Sequence, residues 1–237
     1  MEKVLVHLHL YYQDQLLYFL EKLKSINNCT WDLIVTVCEH NEETKQKILD
    51  FKPDAQIIIV KNQGYDILPF LNVLKSINLD DYDFVLKLHT KGIRNDVIVL
   101  NERPFYGSFW LYRLVDSLLF SEELFNLNLE ILKTKEYGMI ADSFFFMKLL
   151  NFPEDTYLLE DLKQKLNIKS NFNYFLAGSM FFIKASILKR LTDYDFSTDL
   201  ISESKTGAVG TIFHAVERIF TILTDDEGYE IYKVPLF

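Results

Sequence analysis

The first half of the chain alternates short apolar runs with segments whose apolar residues recur at helical spacing. The runs of strand length are residues 4–10, 31–38, 56–61 and 84–88. The helical segments between them are residues 15–26, 42–51 and 67–77. Strands that alternate with helices of this length are joined by right-handed crossovers and form a mainly parallel sheet. The pattern therefore predicts an α/β fold of Rossmann type, a mainly parallel sheet flanked by helices.

Length and composition fit one globular domain with a sizeable core. The chain has 237 residues, 49% of them hydrophobic, and we expect residues 1–237 to form a single domain. A formal net charge of −9 argues against nucleic-acid binding, which favours a basic surface. The first residues lack the pattern of a secretory signal and no apolar run has the length of a spanning helix, so the expected location is cytoplasmic. Cys29 and Cys38 lack the spacing of a zinc site or a disulfide framework.

Residues 83–92 read Asp-Phe-Val-Leu-Lys-Leu-His-Thr-Lys-Gly, an apolar strand that becomes cationic at its carboxyl end. Lys87, His89 and Lys91 alternate along it, so in an extended conformation they point to one side. Ligands of open α/β sheets bind at this end of the strands. Because burying an unpaired charge is costly, the three residues predict an anion site. In the alternative interpretation Lys87 pairs with a structural carboxylate and Lys91 is a solvated loop residue.

The turn at residues 62–66 follows the third predicted strand and contains Gly64 and Asp66. Gly64 allows positive φ, and Asp66 stands where a side chain can cap the next helix. The same carboxylate, at the carboxyl edge of the sheet, could instead contact a sugar or a nucleobase. His7 and His9 share one face of the first strand, and we favour hydrogen-bonded structural histidines over metal ligands, because no nearby acidic residue or cysteine completes a set.

The second half of the chain is less regular. We predict helices at 107–120 and 122–133, strands at 137–141 and 175–183, an inserted loop and helix at 151–165, and a polar loop at 192–210. The first of these strands ends at Asp142, and the second contains Gly178, where another group can approach closely. The last predicted helix, residues 211–223, carries His214, Glu217 and Arg218 near one flank. A surface ion pair between Glu217 and Arg218 is the structural alternative there.

Five of these stretches together resemble the rhamnan synthesis protein F family, bacterial glycosyltransferases of cell-surface polysaccharide assembly. They are residues 6–12, 62–71, Lys87-Leu88-His89-Thr90-Lys91, 177–181 and His214-Ala215-Val216-Glu217-Arg218. The resemblance implies a GT-A-like fold with a nucleotide-sugar-binding half, residues 1–100, and an acceptor half, residues 101–237. It implies that donor contacts come from Gly64, Asp66, Lys87, His89 and Lys91. It implies that acceptor contacts come from Gly178, Ser179, His214 and Arg218.

The same resemblance implies the substrates. The donor would be an activated deoxyhexose such as dTDP-rhamnose, or another nucleotide sugar. The acceptor would be a glycan or lipid-linked glycan at the cytoplasmic face of the inner membrane, where the protein could be peripheral. The chain could also be one module of a larger glycosyltransferase.

Related GT-A enzymes end the corresponding strand in Asp-x-Asp, which holds a divalent ion on the donor diphosphate. Here that position reads Lys-Leu-His-Thr-Lys, so we expect lysines to replace the metal and no cofactor to be required. One alternative is a metal-dependent transferase in which Asp66 and Asp142 hold Mg²⁺ or Mn²⁺. Another is a non-catalytic carbohydrate-binding or assembly subunit that keeps the fold.

The candidate general base of an inverting transfer is Glu217. Its helix follows the polar loop and lies in the half that the resemblance assigns to the acceptor, where related enzymes place an acidic base. Asp142 is the rival base, because it ends a predicted strand and could face the same cleft. His214, one turn before Glu217, could orient it or bind the acceptor, and Arg218 could hold a phosphate.

Overall fold

The computed structural model describes residues 1–100, 103–149, 156–196 and 211–235. The strands are β1 (Lys3–Leu10), β2 (Thr30–Val37), β3 (Gln56–Ile59), β4 (Phe84–His89), β5 (Val97–Leu100), β6 (Arg103–Tyr106), β7 (Tyr137–Asp142), β8 (Phe146–Lys148), β9 (Tyr174–Leu176), β10 (Phe181–Lys184) and β11 (Glu230–Val234). The α-helices are α1 (Leu16–Leu23), α2 (Glu42–Phe51), α3 (Ile67–Ser76), α4 (Gly107–Leu119), α5 (Glu122–Lys133), α6 (Thr156–Lys165), α7 (Lys189–Asp193) and α8 (Ile212–Asp226). None of the helices within these ranges is long and apolar enough to cross a membrane.

The core is one seven-stranded sheet in the order β11-β7-β10-β4-β1-β2-β3. Strand β1 pairs in parallel with β2 and β4, β2 with β3, and β7 with β11. Strand β10 is antiparallel to both of its neighbours, β4 and β7. The predicted single α/β domain with a mainly parallel sheet is therefore confirmed, and both halves of the chain contribute strands to that sheet.

The reversed direction of β10 determines what lies beside the cationic end of β4. Phe181, the first residue of β10, pairs with Lys87 near the end of β4. The turn that precedes β10 therefore lies at the carboxyl edge of the sheet. The single strand predicted at 175–183 was wrong, because Gly178 (φ +97°) and Ser179 (φ +43°) adopt left-handed backbone and separate β9 from β10.

The predicted elements of the first half agree with the structure to within a few residues. The pattern did not predict the β5–β6 hairpin, the small β8–β9 sheet or strand β11. Residues 197–210 of the predicted polar loop, and the start of the inserted segment at 151–155, lie outside the described residues.

A cluster of aromatic side chains fixes α8 against the sheet. The rings of Phe220 and Phe181 lie 4.8 Å apart between centroids, and Phe70 of α3 lies 5.8 Å from Phe220. Burying one such side chain stabilises the fold by roughly 1.5–3 kcal/mol. At the amino end of α8, the Thr211 hydroxyl accepts a hydrogen bond from the His214 N–H and caps the helix. The first two turns of α8 are thereby held at the carboxyl edge of the sheet.

Candidate active site

Two cavities of about 350 Å³ each open at the carboxyl edge of the sheet. Tyr65, Asp66 and Lys91 line both, so the cavities meet at these three residues. The lining of the first cavity also includes Trp110, Ala177, Gly178, Phe213, His214, Glu217 and Arg218. The lining of the second cavity also includes His9, Tyr11, Tyr12, Asn62, His89, Thr90 and Gly92. Residues far apart in sequence therefore line one continuous cleft.

At the junction of the cavities, Asp66 is held by Lys87 and Ser179. The Lys87 ammonium forms an ion pair with the Asp66 carboxylate. It also donates to the carbonyl oxygen and the hydroxyl of Ser179, at 2.9 and 3.0 Å, and that hydroxyl donates to Asp66 at 2.7 Å. Burial acts to raise the pKa of Asp66. In the acidic range where Asp66 could take up a proton, the charges of protonated His89 and of Lys87, with two hydrogen bonds, outweigh burial and lower that pKa. Asp66 is thus an ionised carboxylate with fixed partners.

Lys87 does not line either cavity. Its side chain is fully buried, and burial lowers its pKa while Asp66 acts in the opposite direction. The sequence placed Lys87 on the donor diphosphate. The structure corrects that placement, because a buried ammonium is stabilised by a carboxylate and polar oxygens that the chain itself supplies. Asp66 likewise stands at the N-cap of α3 without a side-chain capping bond, because its carboxylate is bound to Lys87 and Ser179.

His89 holds the turn between β9 and β10 from the other side. Its Nε2 lies 2.7 Å from the carbonyl oxygen of Gly178, and its Nδ1 lies 2.9 Å from the carbonyl oxygen of Thr90. Burial lowers the pKa of His89 to about 4. The ring is therefore neutral at pH 7, and we assign its one proton to Nε2, at the shorter contact. Together with Lys87, His89 fixes both carbonyl groups of the Gly178–Ser179 turn.

Glu217 extends from α8 into the first cavity and is half-buried. Its Oε1 accepts a hydrogen bond from the Gly178 N–H at 2.7 Å. Its other oxygen, Oε2, has no hydrogen-bond partner among the residues that the structure describes. The ion pair with Arg218 that was the structural alternative does not form. One carboxylate oxygen is therefore fixed, and the other is available to a ligand.

His214 and Arg218 lie one turn to either side of Glu217. The Nδ1 of His214 lies 2.8 Å from the Thr211 hydroxyl, so its Nε2 is the nitrogen that can reach a ligand. Arg218 is 2% exposed, donates to the His214 carbonyl at 2.6 Å and lies 4.7 Å from the Phe175 ring centroid. Arg218 thus supports the wall of the cavity more than it extends into it.

Lys91 is the cation shared by both cavities. Its ammonium lies 3.8 Å from the centroid of the Trp110 ring. Burial lowers the pKa of Lys91, whereas Glu217 and Asp66 act to raise it. Since the Lys91 ammonium lies over an uncharged ring and forms no ion pair with another described residue, its charge is available to an anionic ligand.

Asp142 does not line either cavity. Its carboxylate is fully buried, forms an ion pair with Arg113 Nε at 2.7 Å and accepts the N–H groups of Phe144 and Phe145 at 2.9 and 3.2 Å. The expectation that Asp142 faces the cleft is corrected for this reason. It also does not share a cavity with Asp66, as joint metal binding by the two would require. Among the described residues, no group of three or more His, Cys, Asp or Glu side chains could hold a metal ion.

Gly64, His7 and His9 have structural roles beside the cleft. Gly64 has φ +70°, and a Cβ atom there would collide with the Phe213 ring of α8. The left-handed turn therefore packs closely against α8 and brings Asp66 to the cleft. His7 Nε2 and His9 Nδ1 lie 3.0 and 2.9 Å from the Thr36 hydroxyl, which confirms hydrogen-bonded histidines.

Sequence reasoning did not identify Trp110, Tyr11 or Tyr12 as lining residues. Trp110 lies among the apolar residues at the start of α4, where it is indistinguishable by pattern from a core residue. Tyr11 and Tyr12 directly follow β1, and the rule that ligands bind at the carboxyl ends of parallel strands was sufficient to find them.

These features define an α/β protein with a polar cleft at the carboxyl edge of its sheet. The family described as rhamnan synthesis protein F matches residues 1–229, and the chain belongs to this family. The protein WxcX of Xanthomonas campestris pv. campestris is 24% identical over 235 residues, which are 97% of this chain and 32% of WxcX. The chain thus spans about a third of the length of this curated relative.

The solved structures that the chain resembles have low sequence identity to it, with TM-scores below 0.5. TarS 1–349 of S. aureus is 11% identical, with a TM-score of 0.49 over 94% of this chain and 55% of TarS. TarS 1–349 in complex with UDP-GlcNAc is 12% identical, with a TM-score of 0.48 over 92% and 54% of the two chains. The 4-diphosphocytidyl-2C-methyl-D-erythritol synthase of Anaerococcus prevotii is 14% identical, with a TM-score of 0.42 over 98% and 88%.

Proposed function

We propose that this chain is a glycosyltransferase that moves a sugar from a nucleoside-diphosphate donor to a growing cell-surface polysaccharide. The observation that carries the proposal is that Glu217 and Lys91, a carboxylate and an ammonium group, line one cavity at the carboxyl edge of an α/β sheet. Membership of the rhamnan synthesis family supports a polysaccharide product. The division into a donor half, residues 1–100, and an acceptor half, residues 101–237, is part of the proposal.

The second cavity is the proposed site of the donor nucleoside. Tyr11 and Tyr12 are 44% and 41% exposed there and offer ring faces to a base. The Thr90 hydroxyl accepts both of their N–H groups, at 2.9 and 3.0 Å, and so fixes this segment. The Gly64 turn and Asp66 stand beside the path from this cavity to the junction, where the diphosphate would reach Lys91.

Lys91 would supply the positive charge that the diphosphate leaving group needs. Two unit charges about 4 Å apart interact by roughly 4 kcal/mol at an effective dielectric constant near 20. The reaction as proposed requires no cofactor, and Mg²⁺ or Mn²⁺ dependence is the alternative. His89 and Lys87 contribute through the turn they hold.

In the proposed reaction, the acceptor hydroxyl oxygen attacks the anomeric carbon of the donor from the side opposite the diphosphate. The new carbon–oxygen bond forms as the bond to the phosphate oxygen breaks, and that electron pair leaves with the nucleoside diphosphate. Glu217 Oε2 takes the hydroxyl proton, which typically contributes about 10²–10⁴-fold to the rate. A single displacement of this kind inverts the configuration of the anomeric carbon.

The acceptor would lie in the first cavity. Gly178 and His214 line this cavity beside Glu217, so the imidazole Nε2 of His214 can bind an acceptor hydroxyl. Ser179 is 2% exposed and would act through Asp66 and Lys87, to which it is hydrogen-bonded. Arg218 would keep His214 in place through its bond to the His214 carbonyl.

The finer substrate assignment follows the family name. We propose rhamnose or a related hexose as the transferred sugar, with dTDP-rhamnose as the first donor to test, and a glycan or lipid-linked glycan as acceptor. Because the chain covers about a third of WxcX, we propose that it acts as a module of a larger glycosyltransferase. A cytoplasmic location, peripheral to the inner membrane, is consistent with this role.

The test is nucleotide binding measured by calorimetry with dTDP, UDP and GDP, in EDTA and in Mn²⁺. We expect one of them to bind in EDTA, and Lys91→Ala to weaken that binding about tenfold to a hundredfold, the value of a charge-assisted contact. Lys24→Ala is the control. Lys24 follows the last residue of α1, is exposed, and forms an ion pair with the exposed Glu21. Binding only in Mn²⁺ would favour the metal-dependent alternative, and no nucleotide binding would favour a non-catalytic carbohydrate-binding subunit.

A further inference from the structure

Trp110 has an environment that a core residue does not explain. Its ring stacks on Phe145, with 5.4 Å between centroids and an interplanar angle of 15°. Its indole Nε1 is buried and has no hydrogen-bond partner among the described residues. A buried N–H without a partner is unfavourable, and phenylalanine would avoid it. The benefit of tryptophan here therefore lies in its large ring face.

The Trp110 ring lies in the same cavity as Glu217. Aromatic rings in binding sites pack against the apolar faces of ligands, while a few polar groups fix the ligand's orientation. A pyranose ring has this character, with C–H groups on its faces and hydroxyls on its edge. A sugar stacked on Trp110 could present an edge hydroxyl to Glu217.

In the structure, Lys91 occupies the space over the ring. The Lys91 ammonium lies 3.8 Å from the ring centroid. Phe145 is 1% exposed and belongs to the core, whereas Lys91 is a half-buried side chain at the junction of the two cavities. Trp110 also contacts the buried ring of Phe105, with 5.8 Å between centroids. Of these partners, only Lys91 can move away without disturbing the core.

We propose that Trp110 is the platform for a sugar ring of the acceptor, and that Lys91 covers it until the donor diphosphate draws the ammonium away. The proposal rests on the glycosyltransferase function and deepens it. A phosphate oxygen carries negative charge, whereas an aromatic ring offers only its quadrupole, so a diphosphate in the second cavity competes successfully for Lys91. The donor then binds first, and its binding uncovers the acceptor site.

The fluorescence of Trp110 can show whether Lys91 covers its ring. The chain has two tryptophans, and Trp31→Phe leaves Trp110 as the single fluorophore. Lys52 is the control lysine, because its ammonium lies 5.0 Å from the ring centroid of Trp31 and its side chain lines neither cavity. Acrylamide quenching then measures how accessible the Trp110 ring is, with dTDP and UDP as the anionic probes and methyl α-L-rhamnoside as the sugar probe.

In the Trp31→Phe protein, we expect saturating nucleoside diphosphate to raise the quenching constant of Trp110 to about twice its ligand-free value or more, because the covered population becomes the uncovered one. Methyl α-L-rhamnoside should then lower it again, and should have no effect without nucleotide. Lys91→Ala in the same background should raise quenching before any ligand is added. Lys52→Ala in that background should leave the quenching constant of Trp110 unchanged.

A second variant tests the platform itself. With nucleotide bound, Trp110→Leu should weaken methyl α-L-rhamnoside binding about tenfold, which equals about 1.4 kcal/mol, whereas Trp110→Phe, which keeps a smaller ring face, should weaken it less. Calorimetry separates the possible failures. If a nucleoside diphosphate binds but Trp110 quenching stays the same or decreases, the proposal that Lys91 covers the Trp110 ring is overturned and the proposed function stands. If the rhamnoside binds equally well to the Trp110→Leu protein, the platform is overturned. If no nucleotide binds, the proposed function fails, and this inference with it.

Discussion

Gly178 donates its backbone N–H to Glu217 Oε1 at 2.7 Å across 39 residues of sequence. The bond connects the turn before β10 with α8. Gly178 can make it because the turn is held from behind by His89, on the Gly178 carbonyl, and by Lys87, on the Ser179 carbonyl. The buried cationic end of β4 therefore acts on the cleft by fixing the partner of the candidate base.

Glu217→Gln is the most direct test of the proposed chemistry. Glutamine keeps an oxygen that can accept the Gly178 N–H, so the side chain should stay in place, but it cannot take up the acceptor proton. We expect kcat to fall by about 10²–10⁴-fold with donor affinity unchanged. Steady-state kinetics with the donor identified by calorimetry measures the first quantity, and titration of the nucleoside diphosphate measures the second. Normal turnover would remove Glu217 from the chemistry.

Asp142→Asn is the matched carboxylate control. Asparagine keeps an oxygen for the Phe144 and Phe145 N–H groups but removes the charge that pairs with Arg113. Breaking a buried ion pair costs about 3–5 kcal/mol of stability. We expect a lower urea midpoint with kcat within about tenfold of the wild type, since the effect of a group outside the cavity is structural. A larger loss of kcat in a folded protein would make Asp142 the base.

The first half of the fold was predictable because local pattern and tertiary role agree there. An apolar run such as residues 84–88 is a strand in any mainly parallel sheet. The break at Gly178 and Ser179 was not predictable, since the surrounding residues are apolar and only packing against β4 and α8 selects the left-handed backbone. The site was partly predictable for a related reason. Position at a strand end located the cationic residues, but it could not tell that Lys87 is satisfied by Asp66 while Lys91 lies in the cavity.

Lys87→Met tests the structural role of the buried ion pair. The variant leaves the Asp66 carboxylate without its ammonium partner and should lower the free energy of unfolding by about 3–5 kcal/mol. The double variant Lys87→Met with Asp66→Asn removes both charges and should recover much of that loss. Urea unfolding of the two single variants and the double variant gives the coupling. If the loss in the double variant equals the sum of the losses in the two single variants, the interaction between Lys87 and Asp66 does not stabilise the fold.

The stability of the protein should depend on pH between about 6.5 and 4. Burial lowers the pKa of both His9 and His89 to about 4 from an ordinary value of 6.5. Within this window the unfolded chain binds protons that the folded protein does not. The stabilisation is therefore complete above pH 6.5 and is lost as the pH falls to 4, by on the order of 3 kcal/mol for each histidine. Asp66 contributes only at lower pH, because its ordinary pKa is 3.8 and its folded pKa is lower still.

Urea unfolding at pH 7.5, 5.5 and 4.5 measures this dependence. His89→Gln should reduce the slope of stability against pH, because one of the titrating groups is gone. His40→Gln is the control, since the His40 side chain is 55% exposed. A slope that is the same in the wild type and the His89→Gln variant would contradict the assignment.

Gly178→Ala should damage both stability and the cleft, and Gly228→Ala provides its control. Both glycines have positive φ, +97° and +79°, so alanine costs roughly 1–2 kcal/mol of backbone strain at either site. A Cβ atom at Gly228 has nothing within 4 Å, whereas at Gly178 it would lie 2.6 Å from Leu114 and 2.8 Å from the Trp110 Nε1. Overpacking adds about 1–3 kcal/mol there, so urea unfolding should show a clearly larger loss for Gly178→Ala. Because the shift also moves the N–H that fixes Glu217, kcat should fall in this variant and stay normal in Gly228→Ala. Equal losses of stability with unchanged kcat would mean that the close approach of Gly178 to Trp110 has no part in building the site.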